Sequence, residues 1–185
     1  MRPSRLAPIF ITVAAALLLT AASLLAVALL GGVPTGVRAP GALACTAPSL
    51  PGATVRVTET DMGGGMMGAP MMRGAMRLSA DRTSVPHGQV VFAVTNLGNL
   101  PHELLVLPLP VGQTPGTRTT GPDGRIDESG LLGEASASCA DGEGTGIVPG
   151  AVSWVTLDLP AGRYELVCNY PGHYAAGMYA ELTVN

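Results

Sequence analysis

The chain has 185 residues, only 12% of them charged, and all ten basic residues are arginine. Beyond residue 44, seven Arg stand against thirteen Asp plus Glu, a net charge of −6, which excludes a nucleic-acid binder needing a basic face. With 25 Gly and 16 Pro, the composition suits short strands joined by turns and argues against a helical bundle.

Arg2 and Arg5 precede an uncharged run, Ile9 to Leu30. As a helix this run is about 33 Å long, enough to span a bilayer. The two arginines predict a cytoplasmic N-terminus with everything after residue 31 outside. Segment 1–31 is thus expected to be a retained anchor. Cleavage after Ala42-Leu43-Ala44 and lipidation of Cys45 are the alternatives, weakened by the distance of that site from the apolar run. Residues 32–52 form a linker rich in Gly, Pro and Ala, and a domain is expected over 53–185.

Thr54 to Thr60 alternates with Val55 and Val57 on one face and predicts a first strand. A loop over 61–76 follows, in which Met62, Met66, Met67, Met71, Met72 and Met76 are diluted by glycine. So much Gly opposes a packed element. The segment reads as a flexible loop or, alternatively, as a thioether cluster that contacts Cu(I). Arg77 to Asp81 predicts a short strand, Thr83 to Gly88 a turn that leaves His87 exposed, and Gln89 to Asn96 another strand. Asn96 to Pro101 is a turn cluster. His102, Leu104 and Val106 then share the inward face of a strand.

The stretch 111–150 is a long polar loop with a short helix expected around Asp127 to Ser138. Its Cys139 is expected to pair with Cys45, the other cysteine to spare outside the cytoplasm. Gly150 to Leu159 and Gly162 to Cys168 predict further strands. The tally points to an all-β, antiparallel β-sandwich preceded by one N-terminal transmembrane helix.

The chemistry concentrates in Cys168-Asn169-Tyr170-Pro171-Gly172-His173-Tyr174-Ala175-Ala176-Gly177-Met178. Cys168 closes one inward-facing series, with Tyr164 and Leu166. Met178 opens the next, with Ala180, Leu182 and Val184. A thiol, an imidazole and a thioether on one short loop suit copper, and one more imidazole, His102, completes a His2Cys set with a weak axial Met. His87, in a Pro-His-Gly turn, is a poor competitor.

The spacing C-x4-H-x4-M, with an Asn-rich turn leading to His102, resembles the cupredoxin or blue-copper family. The Pro-Gly-His segment is similar to azurin, and the four-residue gap to Met178 is similar to rusticyanin and sulfocyanin. The resemblance implies a Greek-key sandwich and one type 1 copper ion bound by His102, Cys168, His173 and Met178. Many members carry a polar brace such as Asn directly after the first His. Here that residue is Glu103, leaving Asn96, Asn99 and Asn169 as candidates to brace the loop.

The resulting expectation is an electron carrier outside the cytoplasmic membrane, without substrate turnover, serving redox partner proteins. His173 is expected at the exposed edge, with Pro171, Tyr174 and Ala175 as the docking patch. Copper storage, scavenging or delivery through the methionines is the alternative. A multicopper enzyme needs further His-rich sites, which three histidines do not supply.

Overall fold

The computed structural model describes residues 45–61 and 76–185. Nine strands run in order: β1 (Ala53–Thr60), β2 (Arg77–Ala80), β3 (Ser84–Val85), β4 (Gly88–Asn96), β5 (Leu104–Pro108), β6 (Gly133–Ala135), β7 (Val152–Leu159), β8 (Gly162–Val167) and β9 (Tyr179–Val184). They form a four-stranded sheet, β2-β1-β4-β7, and a five-stranded sheet, β3-β9-β8-β5-β6. No helix among the described residues is long and apolar enough to cross a membrane. The run Ile9 to Leu30 and the methionines Met62, Met66, Met67, Met71 and Met72 lie outside the described residues.

The alternation read from the sequence selects the core. Val55 and Val57 of β1 and Val90, Phe92 and Val94 of β4 face Leu104, Val106, Tyr164, Leu166, Leu182 and Val184 of the other sheet in one apolar cluster. Side chains of this size each contribute about 1.5–3 kcal/mol on full burial. The turns are set by glycines where the backbone needs them: Gly172 and Gly177, in the loop between β8 and β9, have φ of 82° and 103°, a region open mainly to glycine.

Three expectations change. The sandwich is mixed rather than purely antiparallel: β1 pairs with β4, and β3 with β9, in parallel. Such neighbours are not consecutive in the chain, so no hairpin fixes their direction. The stretch Thr83 to Gly88 is not only a turn, because Ser84 and Val85 pair with Thr183 and Val184. The helix around Asp127 to Ser138 is absent. Asp127 instead closes a local turn by accepting bonds from the N–H and hydroxyl of Ser129. Gly130, at φ 86°, then breaks any helical path, and β6 pairs with β5.

The part of the polar loop before β6 covers the outer face of the second sheet. Leu105, Leu107 and Val167, on that face, pack with Ile126 and Tyr174 in a second apolar cluster. Glu165, outward by its alternation, is consequently fully buried. Its carboxylate accepts from Arg118 Nε at 2.6 Å, from the Gly116 N–H at 2.7 Å and from Tyr174 Oη at 2.9 Å. A buried charge is tolerated only when paired and hydrogen-bonded in this way.

Candidate metal centre

Cys168 directly follows β8, so the strand fixes its position. Its N–H donates to the Met178 carbonyl at 3.0 Å, and the Met178 N–H donates to the His173 carbonyl at 3.1 Å. Between them the backbone coils through successive turns: His173 N–H bonds the Tyr170 carbonyl and Gly177 N–H the Tyr174 carbonyl, both at 2.9 Å. The loop is therefore tied to itself at each residue that carries chemistry.

His102 arrives from the other direction. It precedes β5 rather than opening it, and forms an isolated bridge with Ile147 of the polar loop. The Ile147 N–H donates to the His102 carbonyl at 2.7 Å, and the His102 N–H returns to Ile147 at 3.2 Å.

These elements bring three side chains together. Cys168 Sγ lies 3.6 Å from His102 Nδ1 and 3.4 Å from His173 Nδ1. The ring centroids of His102 and His173 are 4.9 Å apart. All three residues are buried, and their donor atoms lie within 4.8 Å of one another. Met178, fully buried, belongs to the same apolar cluster as Cys168. One soft thiolate and two imidazole nitrogens around one point fit copper.

The electrostatics leave the imidazoles neutral and ready to bind. Burial, then the proximity of His173, pushes His102 down to about 4 despite the opposing charge of Asp61. Burial likewise lowers His173. Burial raises the Cys168 thiol well above its ordinary value, and the neighbouring Glu59 acts in the same direction. Backbone N–H groups of Glu103 and Tyr170 aimed at the sulfur oppose that rise and suit a bound thiolate. Metal binding at this site must therefore displace a proton.

The question of the loop brace has two answers. Asn169 Oδ1 accepts from the Ile126 N–H at 2.7 Å, while its Nδ2 donates to Glu128 at 2.7 Å and to the Ile126 carbonyl at 3.2 Å. Asn96 holds the turn before His102: its Nδ2 donates to the carbonyls of Leu100 and Ile147, both at 2.7 Å, and its Oδ1 accepts from the Gly98 N–H at 2.7 Å. Asn99 contributes only its backbone, which donates to Asp61. Glu103 pairs with Arg125 at 3.2 Å, and burial pushes it up to about 7.

Other sequence expectations fall as follows. Cys45 and Cys139 are disulfide-bonded, and Cys168 is the free cysteine. His87 is exposed, with Nδ1 2.9 Å from the Asn185 carbonyl. Tyr174 does not belong to a docking patch: it is buried, its hydroxyl bonded to Glu165. Leu97 and Leu100, in the turn before His102, are exposed, as are Pro171 and Ala175. Met76 is partly buried against the core. Asp61 and Glu59, near the site but unremarkable in the sequence, are the residues that the pattern of ligands could not reveal.

Comparison with known proteins places these features. Residues 80–185 match the model of the Sulfocyanin (SoxE) domain. No curated protein matches the chain. Reduced auracyanin from Roseiflexus castenholzii is 19% identical, covering 72% of this chain and 99% of that one, with a TM-score of 0.46. Auracyanin A from Chloroflexus aurantiacus is 18% identical over 72% and 100%, at 0.42. Rusticyanin from Thiobacillus ferrooxidans is 20% identical over 76% and 86%, at 0.40. The domain match spans more than half of the sequence, and the chain belongs to the sulfocyanin family, cupredoxins that bind one type 1 copper ion.

Proposed function

We propose that this chain is a one-electron carrier outside the cytoplasmic membrane, in which His102, Cys168, His173 and Met178 would hold the copper ion. The observation that carries this is the buried Cys168 thiol flanked by two Nδ1 atoms on a loop hydrogen-bonded along its length. Bound copper supplies the one-electron couple. The residues supply a cage that needs little rearrangement between oxidation states. His173 is 7% exposed, the point at which the site meets solvent. Exposed Pro171, Gly172, Ala175 and Ala176 surround it and offer a small apolar contact for a redox partner.

The disulfide supports an oxidising compartment, and Arg2, Arg5 and the apolar run support anchoring with the domain outside. Copper-loaded protein should show an intense visible thiolate-to-copper band and a reversible one-electron wave. Colourless Cu(II) protein that keeps its affinity in Cys168→Ala overturns the reading. Membrane fractionation with protease protection tests the location.

Copper delivery through the methionines has one observation in its favour. Both described ends of that segment lie at the site: Asp61 holds the turn before His102, and the Met76 carbonyl lies 3.9 Å from where a Cβ of Gly177 would stand. Additional exchangeable Cu(I), lost on replacing Met66, Met67, Met71 and Met72, favours that role.

A further inference from the structure

His102 Nδ1 faces Cys168, so its other nitrogen, Nε2, carries the proton when Nδ1 binds metal. That Nε2 is buried and has no hydrogen-bond partner among the described residues. Ligand imidazoles ordinarily donate this proton to an oxygen that orients the ring, and an unsatisfied buried donor is costly.

A carboxylate lies one glycine away. Asp61 follows β1, and its carboxylate accepts the backbone N–H groups of Asn99 and Leu100, the latter at 3.0 Å. Those bonds seat it against Gly98, which is itself buried. A Cβ on Gly98 would overlap Asp61 Oδ1 and stand 2.9 Å from His102 Nε2. The carboxylate and the unpartnered nitrogen therefore flank one point, left open because residue 98 has no side chain.

We propose that Asp61 is the charged neighbour of the ligand His102, its carboxylate set across Gly98 from the Nε2 proton and favouring the oxidised, more positive state of the site. The inference rests on the type 1 copper reading above and gives that site a tuning residue. A carboxylate this near is held at fixed distance by the Asn96–Leu100 turn, so its charge acts on the couple without having to move. The same charge opposes the lowering of both His102 and His173.

The test compares reduction potentials of copper-loaded wild type, Asp61→Asn and Asp61→Glu. Asp61→Asn, which removes the charge, should favour Cu(I) over Cu(II) by roughly tenfold, or about 59 mV upward for a one-electron couple. Its visible band should persist. Asp61→Glu, which keeps the charge, should stay near wild type even if the turn is loosened. An unchanged potential in Asp61→Asn, or an equal rise in both variants that follows their loss of thermal stability, overturns the proposal and leaves Asp61 only a turn brace. A wild type that never develops the band fails the copper reading itself, a result separate from these.

Discussion

The side chain of Asn169, the residue after Cys168, clamps the backbone of Ile126 at both its N–H and its carbonyl, at 2.7 and 3.2 Å. Through this pair the covering loop grips the ligand loop, and it does so again where the Gly172 N–H donates to the Gly124 carbonyl at 2.9 Å. A ligand loop held from outside keeps its shape before metal arrives.

Asn169→Ala should therefore destabilise the metal-free domain by about 1–3 kcal/mol, because the Ile126 N–H is left buried without a partner. Copper should still bind, with faster release to a chelator. Urea unfolding and chelator kinetics check this, and unchanged values for both would show that the clamp contributes nothing.

Replacing Met178, the proposed thioether ligand, should move the potential while preserving the colour. Met178→Leu removes a donor and should raise it, and Met178→Gln supplies a harder oxygen and should lower it, each by roughly 59 mV or more, one decade in the one-electron equilibrium. Cys168→Ser should abolish the visible band. Voltammetry and absorption spectra report both effects. Insensitivity of the potential to either Met178 variant would remove Met178 from the ligand set.

Glu59 gives a pH signature to the metal-free domain. It is fully buried, and neither carboxyl oxygen has a partner among the described residues. Burial, assisted by the charge of Glu103, raises it well above its ordinary 4.5. The folded state thus holds a proton that the unfolded state has released. Its contribution to stability is complete below the unfolded value and is lost as pH rises toward the folded one, at up to about 1.4 kcal/mol per pH unit. The stability advantage of Glu59→Gln over wild type should grow between pH 5 and 7. Parallel stability curves would count against this assignment.

The disulfide closes a ring with a sequence separation of 94. A ring of that size predicts a loss of up to about 4.7 kcal/mol when Cys45 and Cys139 are both replaced by Ala. The ligand geometry lies on other bonds, so the visible spectrum should be kept. Guanidinium midpoints and absorption together check the two halves of this statement.

Much of this was legible in the residues. The spacing from Cys168 to Met178 and the alternation around it gave the loop, its two flanking strands and three of the four proposed ligands. Scarcity of histidine left His102 as the fourth. The parallel pairing of β1 with β4 was not legible, because it joins strands separated by the Met-Gly segment and two other strands. Local propensity misread Asp127 to Ser138, where Gly130 and the Asp127–Ser129 turn override a helix. The burial of Glu165 and Tyr174 escaped for a related reason: alternation names two faces of a strand but does not say that a distant loop will cover the outer one.

The separation of the disulfide from the ligand thiol has a consequence for how the protein is made. Three cysteines allow three different single pairings, and two of them consume Cys168. A chain oxidised before Cys139 is held against β7, where its N–H donates to the Val152 carbonyl at 2.7 Å, can be trapped in a form with no thiolate to offer. Heterologous production should therefore yield a mixture of colourless and blue-competent molecules. A thiol–disulfide isomerase, or copper present during oxidation to mask Cys168, should shift that mixture toward the competent form.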